Sequence, residues 1–231
     1  MNNEFGIILA GGIGSRFGSS VPKQYIKLNG REIISYSIEA FQKSRLSRNF
    51  VLVCDESEYK EQNIIRKYKI SCVQGGSTRN ESIYNGLQYV KKFYPETEKI
   101  FIHDAARPFI NSGIINTYLD LLKNGNKAVV TAVKITDFLG FSKENILINR
   151  EDYFLIQAPE VFDFPYLMKY FKKDFQQTTP LHQLPKETKF EKYFDFKYNL
   201  KITYPEDLPI AEQYLHYIIN NSKYNKKNNS K

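Results

Sequence analysis

Short apolar runs alternate with helix-period stretches along this chain. The runs "GIILA", "FVLVCD", "ISCVQGG" and "KIFIHDAARPF" read as strands, and "REIISYSIEAFQKS", "EYKEQNIIRKY" and "NESIYNGLQYVKKF" as the helices between them. In the first helix Ile33, Ile34, Ser37, Ile38 and Phe41 keep the spacing of one face, and Asn80 is placed to cap the helix carrying Ile83, Leu87 and Val90. The order continues with a helix "SGIINTYLDLLKNG", strands "AVVTAVKI" and "NLKITY", and a last helix from "PEDLPIAEQYLHYII". Such alternation implies an α/β fold of parallel strands with crossover helices. A polar stretch from about Phe138 to Tyr153, with a short apolar "ILI", reads as an excursion from that sheet. No repeat or linker interrupts the pattern, so residues 1–221 are expected to form one domain.

Composition changes this picture little. The 231 residues, 42% hydrophobic and 15% aromatic, are enough to close a sizeable core, which excludes disorder throughout. There is no apolar run of membrane-spanning length, and "MNNEFGIILAGG" carries no basic leader or cleavage site, so a cytoplasmic protein is expected. Cys54 and Cys72 each lie in an apolar run and read as buried thiols without a disulfide, metal or nucleophile role. The formal charge of +8 includes Lys223, Lys226, Lys227 and Lys231 of the tail "SKYNKKNNSK", and setting these aside leaves +4. That tail, residues 222–231, is expected to be a disordered basic segment. No interleaving of basic and aromatic residues points to nucleic acid.

The candidate chemistry lies where the strands end. In open parallel sheets ligands sit beyond the carboxyl ends of the strands, and there the sequence holds "GGIGSR", Asp55, "QGGSTR" and "HDAARP". Glycines let backbone N–H groups approach an anion, while Arg16 and Lys23 supply charge; a phosphate chain fits both. The loop Gly11-Gly12-Ile13-Gly14-Ser15-Arg16 lacks the Gly-Lys-Ser/Thr ending of a P-loop, and it misses the dinucleotide spacing by one position.

The ordered set LAGGxGSR, PKQY, GGxxRxxSIxNG, HDAARP and NLKITxPEDL, running from about Gly6 to Leu208, resembles the polyol-phosphate cytidylyltransferases. That family includes the methylerythritol phosphate enzymes of isoprenoid synthesis and the ribitol-5-phosphate enzymes of wall and capsule polymers. The resemblance implies a Rossmann-like nucleotidyltransferase fold, CTP and Mg²⁺ as reaction partners, and a homodimer joined by an arm at about residues 138–153. It implies that a polyol phosphate attacks the α-phosphorus of CTP and releases pyrophosphate. Carried over position by position, it gives Arg16, Lys23 and Lys201 catalytic roles. Nucleotide contacts fall to Ala10, Gly11, Gly12, Gly14, Gly76 and Ser82, with Ala10, Gly76 and Ser82 reading the base. Acceptor contacts fall to Asp104, Arg107, Thr136, Arg150 and Lys201, with Arg150 crossing to the partner subunit's site and Asp104 also a metal ligand. His103 is expected to be structural.

The acceptor half departs from the family pattern. Ile135-Thr136 stands for Asp-Thr, Ala158-Pro159-Glu160 for Thr-Pro-Gln, and no Thr-Asp-Asp motif precedes "NLKIT". LAGG, RPFI and NLKIT are similar to the ribitol phosphate branch and HDAARP to the methylerythritol phosphate branch; the altered acceptor half places ribitol phosphate or a related surface-polymer polyol ahead as the expected acceptor, with methylerythritol phosphate as the alternative. Two readings of other classes stay open. One is an NAD(P)-dependent reductase using Tyr193-x-x-x-Lys197 and Asp55, and the other is a nucleotide-binding protein without activity.

Overall fold

The structure, a computed structural model, describes residues 3–12, 14–19, 21–143, 146, 148–176 and 179–228, with Ser15 and residues 221–228 described as backbone only. Ile13 of the glycine loop and the last three residues of the tail therefore lie outside the described residues. The strands are β1 (Glu4–Ala10), β2 (Lys27–Leu28), β3 (Arg31–Glu32), β4 (Phe50–Cys54), β5 (Ser71–Gln74), β6 (Lys99–Asp104), β7 (Ala128–Lys134), β8 (Phe154–Asp163) and β9 (Phe190–Tyr193). The helices are α1 (Ile33–Gln42), α2 (Glu56–Glu61), α3 (Asn63–Tyr68), α4 (Arg79–Phe93), α5 (Ser112–Leu121), α6 (Phe164–Tyr170) and α7 (Asp207–Asn228).

Seven strands form the main sheet in the order β5-β4-β1-β6-β8-β7-β9, and β2 pairs with β3 in a separate ribbon. All main-sheet pairings are parallel except those of β8, which runs antiparallel to both β6 and β7. Strands apolar at every position are covered on both faces. On one face Ile8, Leu52, Phe101 and Val129 pack against Ile34, Ile38 and Phe41 of α1 and Ile115, Tyr118 and Leu119 of α5. On the other, Phe5, Ile7, Val51, Val53 and Ile102 meet Ile83, Leu87 and Val90 of α4 and Phe164 and Leu167 of α6. A third, smaller cluster joins Phe17, Leu28, Ile33, Phe109, Ile202 and Ala211, tying the loop after β1, the segment after β6 and the start of α7 together.

Three local expectations are corrected. "NLKITY" is not a strand; the last strand is Phe190–Tyr193, upstream of it, and Ile202 N donates to Ala106 O in a single backbone bond. "EYKEQNIIRKY" is broken at Gln62, which turns left-handed with φ 60°, into α2 and α3. Helix α4 is capped by Thr78, whose Oγ1 accepts from Glu81 N while the Glu81 carboxylate accepts from Ser77 N, a near relative of the capping box. Asn80 instead spends its side chain on the carbonyls of Lys172 and Lys173. The "DYFLIQAP" stretch, left without an element by its pattern, supplies β8. There the register jumps from Val130 opposite Glu160 to Thr131 opposite Gln157, leaving Ala158 and Pro159 out of the ladder, where the missing N–H of proline costs no pairing. Helix α7 carries its backbone through Asn228, into the segment expected to be a tail. Among the described residues no helix is long and apolar enough to cross a membrane.

Candidate active site at the carboxyl edge of the sheet

Parallel β1, β4, β5 and β6 deliver their carboxyl ends to one edge, and β7 points the same way because β8 is antiparallel to both its neighbours. The glycine loop leaves β1 there. Gly14 has φ 69°, a conformation that favours glycine, and a Cβ on it would approach the Lys23 backbone N at 3.3 Å. Gln24 is the fastener of this loop: its buried Nε2 donates to Ala10 O at 2.7 Å and Gly12 O at 3.1 Å. Asp55 backs it, accepting from Tyr25 OH at 2.6 Å and capping α2 through Glu58 N at 3.0 Å.

The second glycine pair folds against the first. Gly75 N donates to Cys54 O at 2.8 Å, and a Cβ on Gly11 would lie 3.5 Å from both Gly75 Cα and Ser82 Oγ. Gly76 admits no side chain, since a Cβ there would stand 2.2 Å from that of Glu81. Ser82 Oγ accepts from Gly76 N at 3.1 Å and donates to Thr78 O at 3.0 Å. Ala10, Gly11, Gly76 and Ser82 are thus neighbours, and the Ser82 hydroxyl is engaged in holding the loop.

Asp104 closes the site from the end of β6. Its Oδ1 accepts from Arg79 Nη2 at 3.0 Å and Nε at 3.2 Å, its Oδ2 from Lys201 Nζ at 2.8 Å, and Arg107 Nε stands 4.0 Å from Oδ2. Burial pushes its pKa up, but Arg79, Lys201 and Arg107 together outweigh burial and hold the carboxyl well below its ordinary range. Lys23 belongs to the same field. Burial, then the positive charges of Lys201 and Arg16, lower its pKa to about 8, with Asp104 and Asp207 opposing. Arg16, Lys23, Asp104 and Lys201, drawn from three separated stretches of sequence, are therefore gathered at one rim. The third apolar cluster explains how, because Phe17 and Ile202 are the chain neighbours of Arg16 and Lys201.

Arg107 is placed differently from the expectation of an acceptor contact. It is buried, and its Nη1 donates to Asn199 O at 2.7 Å and Gln157 Oε1 at 3.2 Å, so it clamps the segment that carries Lys201. His103 is structural as expected: fully buried, it lies 3.2 Å from Ser37 Oγ and 3.1 Å from Arg107 O, and burial lowers its pKa to about 3. Thr136 and Arg150 come together in the excursion after β7, where Arg150 Nη1 donates to Thr136 O and the guanidinium lies 5.6 Å from the Phe138 ring centre. No hydrogen bond or ion pair described for them reaches Asp104 or Lys201 of the same chain.

Three residues of this site escaped the sequence reading. Gln24 and Arg79 sit inside quoted motifs, PKQY and GGxxRxxSIxNG, yet only the fold gives them partners. Glu160 is buried beside Arg79, and burial, opposed by Arg79 and the Thr179 hydroxyl, raises its pKa to about 7. Among the described residues no three His, Cys, Asp or Glu side chains cluster as a protein-borne metal site. A divalent ion held largely by substrate phosphates needs only one or two carboxylates, and Asp104, expected as one, has its Oδ1 accepting from Arg79 and its Oδ2 from Lys201.

A family model described as IspD, 2-C-methyl-D-erythritol 4-phosphate cytidylyltransferase, matches residues 5–217. Relatives with that printed name include those of Clostridium beijerinckii, 33% identical over 229 residues (92% of this chain, 98% of that one), and Thermosipho melanesiensis, 32% identical over 212 residues (87% and 93%). The crystal structure of 4-diphosphocytidyl-2C-methyl-D-erythritol synthase from Anaerococcus prevotii superposes with a TM-score of 0.77 at 25% identity, covering 92% of this chain and 98% of that one.

Proposed function

The chain belongs to the family of 2-C-methyl-D-erythritol 4-phosphate cytidylyltransferases and so is a CTP-dependent nucleotidyltransferase; we propose that its acceptor is 2-C-methyl-D-erythritol 4-phosphate. This replaces the ribitol phosphate expectation, which rested on the altered acceptor half, whereas the family model spans residues 5–217, that half included. The reductase reading lapses with it: Asp55 is occupied by Gln24, Tyr25 and the start of α2.

In the proposed reaction a phosphate oxygen of the acceptor attacks the α-phosphorus of CTP, the bond from that phosphorus to the bridging oxygen breaks, and pyrophosphate leaves. The attacking oxygen is already ionised at neutral pH, so no general base is needed. The observation that carries the reading is the gathering of Arg16, Lys23 and Lys201 around Asp104 beside a glycine loop. Lys23 and Arg16 face the charge that grows on the departing phosphates, backbone N–H groups of Gly11, Gly12 and Gly14 approach the triphosphate, and Lys201 holds the acceptor phosphate. Ala10, Gly76 and Ser82 line the place for the cytosine. A divalent cation, when bound, neutralises triphosphate charge, and Asp104 is the side chain nearest to such a role.

Pyrophosphate release with CTP and Mg²⁺ against a panel of polyol phosphates tests the assignment. Turnover is expected with 2-C-methyl-D-erythritol 4-phosphate, and turnover with ribitol 5-phosphate alone contradicts it. Thr136 and Arg150 fit the reading only if a second copy of the chain brings its excursion to this edge, so a homodimer is part of the proposal. Arg150→Ala is accordingly expected to raise the acceptor KM about tenfold, near the loss of one charge-assisted hydrogen bond, while leaving the CTP KM unchanged. An unchanged acceptor KM removes Arg150 from the site.

A further inference from the structure

Glu160 is a buried acid that the reaction above leaves unused. It sits on β8, next to β6, and its side chain is 2% exposed. One nitrogen of Arg79 stands between two carboxylates: Nη2 lies 3.0 Å from Asp104 Oδ1 and 3.9 Å from Glu160 Oε1. The other Glu160 oxygen accepts from Thr179 Oγ1. Thr179 opens the short turn Pro180–Gln183, which is fixed to the start of α4 by Gln183 Nε2 donating to Asn80 Oδ1 at 2.9 Å and to the preceding loop by Lys172 N donating to Gln183 Oε1 at 2.6 Å. Glu160 is thereby held on a strand and by an anchored turn, and Arg79 is the long side chain that reaches both carboxyls.

Charge decides what this arrangement does. Asp104 alone facing Arg79 and Lys201 is an anion with two cations, and the hydroxyls of an acceptor meeting it have to displace a charge-assisted bond with nothing to receive the displaced guanidinium. Glu160 adds a second carboxyl beside the three cations Arg79, Lys201 and Arg107, and a guanidinium moving onto it favours its ionised form. We propose that Glu160 is a positioning residue, a second seat for Arg79, which takes up the guanidinium when acceptor hydroxyls engage Asp104 and so keeps Asp104 available to them. Arg107 adds a third cation and no second seat: its Nε stands 4.0 Å from Asp104 Oδ2 and its Nη1 donates to Asn199 O and Gln157 Oε1. The inference rests on the proposed function, in which Lys201, 2.8 Å from Asp104, holds the acceptor phosphate and so brings the acceptor hydroxyls to Asp104.

Steady-state kinetics of the full chain and its Glu160→Gln variant, with CTP, Mg²⁺ and whichever polyol phosphate the unaltered chain turns over, provide the test. The amide keeps the shape and loses the charge. The expected result is an acceptor KM raised about tenfold, one charge-assisted bond's worth, with the CTP KM within twofold. Glu160→Asp, which retains the carboxylate, is expected to keep the acceptor KM within threefold, and it serves alone if the glutamine variant does not fold. An acceptor KM unmoved in Glu160→Gln overturns the proposal. So does a parallel rise of both KM values, which marks a merely structural role, or a tenfold rise in the Asp variant. Turnover with a polyol phosphate other than 2-C-methyl-D-erythritol 4-phosphate refutes only the acceptor assignment, and the comparison then runs on that acceptor. An absence of turnover with every polyol phosphate overturns both.

Discussion

Replacing Lys23 with alanine is expected to lower kcat about 10²- to 10³-fold, the loss seen when one donor aimed at developing transition-state charge is removed. The structure gives this residue a second, opposite signature. Half-buried and facing the positive charges of Lys201 and Arg16, the ammonium has its pKa lowered from 10.5 to about 8. The unfolded chain therefore binds more protons at this group between pH 8 and 10.5, so its contribution to stability rises with pH across that window and is fully unfavourable below it. Lys23→Met is accordingly expected to melt at a higher temperature than the unaltered chain at pH 7, with the gain shrinking as pH climbs towards 10.5. Together, a slower enzyme and a more stable protein identify charge held in place for the reaction at the expense of the fold. The free enzyme should also lose kcat/KM on an alkaline limb near pH 8, as Lys23 gives up its proton. Turnover within threefold of the unaltered enzyme, or a lower melting temperature in Lys23→Met, contradicts the assignment.

Asp104→Asn should have the largest effect on stability. The substitution keeps the shape and removes the anion on which Arg79, Lys201 and Arg107 converge. Breaking a buried pair so that its partners are left uncompensated costs about 3–5 kcal/mol. Because the folded-state pKa of Asp104 is depressed, its stabilisation is present above the ordinary value of 3.8 and is lost as pH falls through the lower folded value. The difference in unfolding free energy between the two proteins is therefore expected to be constant above about pH 5 and to narrow below it. CTP with Mg²⁺ should narrow it as well, since the triphosphate supplies negative charge to the same cations. Chemical denaturation at pH 7 and pH 3, with and without nucleotide, measures each part. A variant as stable as the unaltered chain at pH 7 removes Asp104 from the centre of the network.

Much of this protein can be read along its chain, and the readable part is local. Alternating apolar runs and helical periods specify β1, β4 and β6 with their crossover helices, because burial on both faces forces apolar residues into successive positions, and they also mark β5, a half-buried strand at the sheet edge. The glycines and cations at the strand ends follow from the same order, since parallel strands carry them to one edge. What the sequence left open depends on contacts between distant segments. That "DYFLIQAP" forms β8, the strand that reverses direction inside the sheet, depends on the ladders offered by β6 and β7, and its own pattern of Pro159 and mixed polarity does not announce it. That Lys201 lies against Asp104 without a strand to carry it depends on Ile202 entering an apolar cluster with Phe17 and Phe109. Gln24, Arg79 and Glu160 acquire their roles in the same way: each is an ordinary polar residue until folding removes water and leaves it one set of partners, and a linear sequence does not carry that information.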